Sequence, residues 1–147
     1  PEKREELTTE GGLDAVANVA YLTDYCAKLA DSGVRVSLFI DADSAQLEAA
    51  AAIGAPVVEI HTGHYADAAT PRDRAAEFSR IQSAVNYGEE LGLHVNAGHG
   101  LDYHNVREIA AISGIRELNI GHSIIARAIF SGLGNAVREM KRLIQPA

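Results

Sequence analysis

The sequence predicts an α/β fold with a parallel sheet, a (β/α)8 (TIM) barrel of which this chain supplies about half. Three observations predict it. Short apolar and β-branched runs alternate with longer helical ones, and strand–helix alternation implies parallel strands joined by right-handed crossovers. Each short run is preceded by a glycine turn. The strands also carry polar residues on one face, whereas a doubly wound sheet, covered by helices on both sides, reads as continuous apolar runs. A whole barrel takes about 250 residues. The 147 residues here form a single partial-barrel domain over 1–147.

The strands are expected at Val36–Ile40, Val57–His61, His94–Ala97 and Glu117–Ile120, after turns at Gly33, Gly54, Gly92 and Gly114. Glycine just past a helix supplies a left-handed cap, so these turns also mark helix ends. Val19, Leu22, Cys26 and Leu29 fall at 3-4-3 spacing and predict a first helix, with Cys26 as core packing rather than a nucleophile. Asp43 with Gln46 resembles a capping box ahead of Leu47 and Ala50. Thr70-Pro71 opens a helix carrying Phe78, Ile81 and Val85, and Val106, Ile109 and Ala110 mark a shorter one. An extra short helix is expected over Ile124–Phe130. A last one buries Leu133, Val137, Met140 and Ile144, with Lys141 and Arg142 near its negative pole.

Composition narrows the function classes. Thirteen basic against twenty acidic side chains give a net charge of −7. That balance excludes a broad nucleic-acid surface or an anionic-membrane anchor, which need clustered Lys and Arg. Small phosphates remain possible ligands, since local amides and one or two cations hold them. A single cysteine excludes an internal disulfide. No apolar run approaches the roughly 18 residues of a membrane span, and a soluble cytoplasmic protein is expected. The chain opens at Pro1 without a methionine, and Pro1–Arg4 leads into no element, as in a piece of something longer.

Chemistry concentrates at the strand ends. Glu59 and His61 share one strand face, Asn96 and Gly98 another, Asn119 and Gly121 a third. Catalytic groups of barrels cluster at strand C-termini, so these faces are expected to line a site. Glycine accompanies the polar residues in His61-Thr62-Gly63, Gly98-His99-Gly100 and Gly121-His122-Ser123. The last runs into the extra helix, and the loops after a barrel's last two strands commonly bind phosphate there. His99 is the best acid–base candidate, because imidazole titrates near neutral pH. His122 is read equally as a helix cap or a phosphate contact, and His61 as a group orienting a carboxylate or a core histidine. His64, His94 and His104 are read as ordinary loop, strand or helix-start residues. Glu59-x-His61-x-x-His64-x-x-Asp67 invites a metal site, but the spacing fits no ligand motif and Gly63 is expected to end the strand and scatter the side chains.

Six segments in order resemble the pyridoxine 5′-phosphate synthase family: Pro1–Arg4, Thr8–Asp14, Val36–Asp43, Glu59–Gly63, Val95–Leu101 and Glu117–His122. The resemblance runs from end to end of this chain and covers the C-terminal part of the family's barrel. It implies condensation of 1-deoxy-D-xylulose 5-phosphate with 3-amino-2-oxopropyl phosphate to pyridoxine 5′-phosphate, releasing phosphate and water. It also implies that His99 is the proton donor and Glu59 the carboxylate that stabilises the transition state. Thr8 would contact the deoxyxylulose phosphate, and Gly100, Gly121 and His122 the aminooxopropyl phosphate. No metal or organic cofactor is implied. The implied partners are small phosphorylated substrates, the N-terminal half of the barrel and further copies in a homo-oligomer. The family's Asn-x-Asp-His strand, His-x-Arg pair and further glutamate base have no counterpart in these 147 residues.

Two other readings stand beside it. One is a stand-alone half-barrel that binds phosphate or acts as a scaffold, inactive without an N-terminal half. The other is an aldolase or isomerase barrel, which ranks last because the only lysines are Lys3, Lys28 and Lys141, none of them on a strand.

Overall fold

The computed structural model describes residues 11–145. A 3-10 turn (Val16–Asn18) leads into α1 (Val19–Asp31), followed by β1 (Ser37–Ile40), α2 (Ser44–Ile53) and β2 (Val57–His61). Then come α3 (Gly63–Ala66), α4 (Pro71–Glu90), β3 (His94–Gly98), α5 (Val106–Ala110), β4 (Ile115–Asn119), α6 (His122–Ser131) and α7 (Leu133–Ile144). The four strands form one parallel sheet in the order β1-β2-β3-β4. A doubly wound sheet reverses its order at a switch point. Here each strand is added on the same side of the last, and right-handed crossovers then place the helices on one face of the sheet.

That face holds the core. Leu38 and Ile40, Val58 and Ile60, and Val95 and Ala97 are buried with Leu47, Ile53, Ile81, Val85 and Ile109 from the helices. Burying one Leu or Ile side chain contributes about 1.5–3 kcal/mol relative to exposure. The opposite face carries Phe39, Glu59, Asn96 and Asn119, and β4 is its most open strand.

The local chemistry matches most expectations. Gly33, Gly54 and Gly92 take left-handed dihedrals just past α1, α2 and α4. Thr70 caps α4 by accepting the Asp73 N–H at 3.1 Å, with Pro71 at the first helical position. Cys26 is buried in α1.

Five details differ. The capping box is half made: Asp43 accepts from the Ala45 and Gln46 amides, but the Asp43 N–H bonds to Asp41 O. Gln46 instead reaches across to the Ala15 amide at 2.7 Å and to Asp14, tying the segment before α1 to α2. The strands expected at 36–40 and 117–120 run over Ser37–Ile40 and Ile115–Asn119, the second shifted by a register irregularity between Val95 and Ala97. The extra helix begins at His122 and has ten residues, no longer a short appendage. One further turn of helix, α3, follows β2 directly. In α7 the buried residues are Ala136 and Met140, while Leu133 and Val137 are exposed, so the stripe is rotated from the one expected.

Candidate active site

The C-terminal ends of all four strands bring the polar residues together. In the register, Phe39 lies beside Glu59 and Glu59 beside Asn96; two residues further along, His61 lies beside Gly98 and Gly98 beside Asn119. Glu59 and Asn119 thus sit on a diagonal that crosses Gly98. The Asn119 amide donates to Glu59 Oε2 at 2.7 Å across that gap. A Cβ at position 98 would collide with Glu59 Oε1 and with Asn119, so the bond requires glycine there. Burial pushes the Glu59 carboxyl above its ordinary range, reinforced by Glu117 and opposed by the Asn119 hydrogen bond and His99.

His99 follows Gly98 and is the one described non-glycine residue with positive φ, at 81°. Such a conformation costs ~1–3 kcal/mol and persists only where the surroundings hold it. Its ring lies 5.0 Å from that of His61 and 6.3 Å from that of Phe39, centroid to centroid. His61 is buried, with Nδ1 3.0 Å from Asp41 Oδ1. Burial pushes its pKa below the ordinary value, opposed by Asp41.

Beyond β3 the chain turns at Gly100, where φ is 72° and a Cβ would strike Ala66. Asn105 braces this turn, accepting from the Asp102 amide and donating to Gly100 O. Ser123 at the start of α6 donates to Leu101 O at 2.9 Å, which ties the glycine turn after β3 to the one before α6. Between them lies a cavity of about 840 Å³, lined by Glu59, His99, Gly100, Asn119, Gly121 and His122 among others.

A family model, pyridoxal phosphate biosynthesis protein PdxJ, matches residues 1–146, nearly the whole chain. The chain belongs to the PdxJ family. Its role is therefore in pyridoxal phosphate biosynthesis, and a barrel-like fold is consistent with both the family and the parallel sheet.

In this PdxJ family member, five of the six expected site residues, His99, Glu59, Gly100, Gly121 and His122, border one cavity. Thr8 lies outside the described residues. His122 is the first residue of α6 and the N-cap position is Gly121, so His122 stands inside the helix and not at its cap. Of the two readings for His122, the cap is the one the geometry does not support. The suggested metal set also changes membership. Asp41, His61 and His64 offer ligand atoms within 4.8 Å of one another, whereas Glu59 and Asp67 belong to no such group among the described residues. Asp41 and Thr62 carry no assigned role in the sequence reading, whereas Asn119 belongs to a face expected to line the site. The pairing of Asn119 with Glu59 was signalled by their shared face polarity, while Asp41 lies one residue beyond β1 and carried no signal of its own. No helix among the described residues is long and apolar enough to cross a membrane.

Proposed function

We propose that this chain carries the proton-donating and aminooxopropyl-phosphate side of a pyridoxine 5′-phosphate synthase. That enzyme joins 1-deoxy-D-xylulose 5-phosphate to 3-amino-2-oxopropyl phosphate and releases phosphate and water. One observation carries the reading: an imidazole, a carboxylate and two glycine-flanked turns converge on a single cavity at the strand C-termini. Ring closure needs a proton on each departing oxygen and a negative group near the iminium-like cation that precedes it. His99 supplies the proton, and Glu59, steadied by Asn119, faces the cation. The first-turn amides of α6, free of helical partners, and the Gly100 turn suit a phosphate. The same reading makes the open sheet part of a larger barrel, since β1 and β4 each have one strand neighbour among the described residues.

The test is turnover with both substrates in a complete barrel, this chain joined by an N-terminal half, read as pyridoxine 5′-phosphate. His99→Asn, whose side chain tolerates positive φ, should lower turnover by roughly 10²–10⁴-fold, the worth of a general acid. Glu59→Gln should lower it too, leaving the histidine limb of the pH profile in place. Near-normal turnover in the His99 variant removes it from the mechanism. Inorganic phosphate shifting the amides of Gly100, Gly121 and His122 without any turnover would favour a phosphate-binding module instead.

A further inference from the structure

We propose that Thr62 is a positioning residue whose buried hydroxyl sets the backbone of His99, and with it the aim of the imidazole into the cavity. The inference rests on the reading of His99 as the proton donor. Thr62 has no exposed surface and stands between β2 and α3, one strand away from His99. Its hydroxyl lies 2.7 Å from Gly98 O and 2.6 Å from His99 O, and its own N–H donates to Gly98 O at 2.8 Å. One hydroxyl hydrogen is thus shared by two carbonyls. Those carbonyls belong to the peptide units on either side of the His99 Cα, so holding both fixes φ and ψ of that residue together.

The conformation held is the unfavourable one. His99 has φ 81° and Gly100 after it φ 72°, so the left-handed conformation that glycine takes at little cost is imposed on the histidine as well. A threonine that only satisfied its own hydroxyl would need a single carbonyl anywhere nearby. Here both acceptors flank the strained residue. The γ-methyl adds stiffness, because a β-branched side chain has few χ1 choices and the hydroxyl cannot swing away. The next residue continues the support: a Cβ on Gly63 would press on His61 Nε2 and His99 Cδ2, so the chain after Thr62 runs directly against both rings.

The decisive comparison is Thr62→Val, which keeps the shape and loses the hydroxyl, against Thr62→Ser, which keeps the hydroxyl. In crystals of the Val variant, His99 should leave the left-handed region. In solution its ring resonances and imidazole titration should move, while Ser restores both. In the turnover assay, the Val variant should lose between tenfold and about 100-fold in kcat, the scale of an ångström's misplacement. Its KM should change less than about threefold, as for an interaction that matters only in the transition state. An Ala variant repeats the measurement should Val fail to fold. A folded Val or Ala variant with His99 φ, titration and kcat unmoved overturns the assignment. So does failure of both to fold, which would make Thr62 purely structural. Absence of turnover in the unsubstituted complete barrel would count against the proposed function, and the crystal and resonance readouts would still judge Thr62.

Discussion

At the C-terminal end of β2, the His61 ring is only 5% exposed and is held through Nδ1 by the half-exposed Asp41. Burial disfavours its charged form, and its folded pKa lies below the ordinary 6.5. The sign of the stability effect follows by linkage. Below that ordinary value the unfolded chain binds a proton at this site that the folded chain resists, so stability present above about pH 6.5 declines as pH falls. His61→Gln should flatten that decline. Urea unfolding at pH 7.5 and pH 5.5 measures it; equal losses in variant and parent would show that Asp41 cancels the burial. The same residue shows what the sequence could disclose at this scale. The strand face of His61 was legible from alternation, but its partner was not, because Asp41 comes from a neighbouring strand's end and pairing across strands has no local sequence signal.

Between elements, the clearest contrast is at the start of α2. Asp43 accepts two backbone amides of its own first turn, while Gln46 spends its side chain on Ala15 and Asp14, some thirty residues away. Asp43→Ala should cost about 1 kcal/mol, the usual worth of an N-cap. Gln46→Ala should leave the helix intact and release the segment before α1, read as faster amide exchange at Ala15. Element types were largely legible: periodicity, glycine turns and cap residues are local, and they located each strand and each long helix among the described residues. What local signals missed was tertiary in origin. The Gln46 side chain found a better acceptor role across the chain than its own N-cap offered. The start of α6 was drawn back to His122, where Gly121 caps it and Ser123 anchors it to Leu101. The site was legible for the same reason as the strands, since its residues stand at strand ends in alternating positions. Thr62, by contrast, reads as an ordinary strand-end threonine until its two acceptors are seen.

On the scale of the whole molecule, β1 and β4 present edges with no strand partner among the described residues, and β4 is exposed on most of its length. Unpaired strand edges recruit further strands. Beside β4, α6 leaves Ile125, Ile129 and Phe130 exposed. In solution this 15.6 kDa chain should sediment as a larger species, through its own copies or with a complementary barrel segment when one is supplied. A stable monomer at all concentrations, with protected amides along β1 and β4, would refute both the open edges and the barrel-segment reading.

The sequential strand order also bears on how the molecule comes into being. Ser37 pairs with Val57 and Val95 with Ile115, so each new strand meets the one made just before it. These pairings close loops of 20 residues between β1 and β2 and between β3 and β4, and of 37 between β2 and β3, well short of the chain's length, and closure entropy grows with loop length. Within the described sheet, every pairing joins a strand to the one that precedes it in the chain. Growth of the sheet can therefore keep pace with a chain emerging N-terminus first from the ribosome, each βα unit docking on a template already in place.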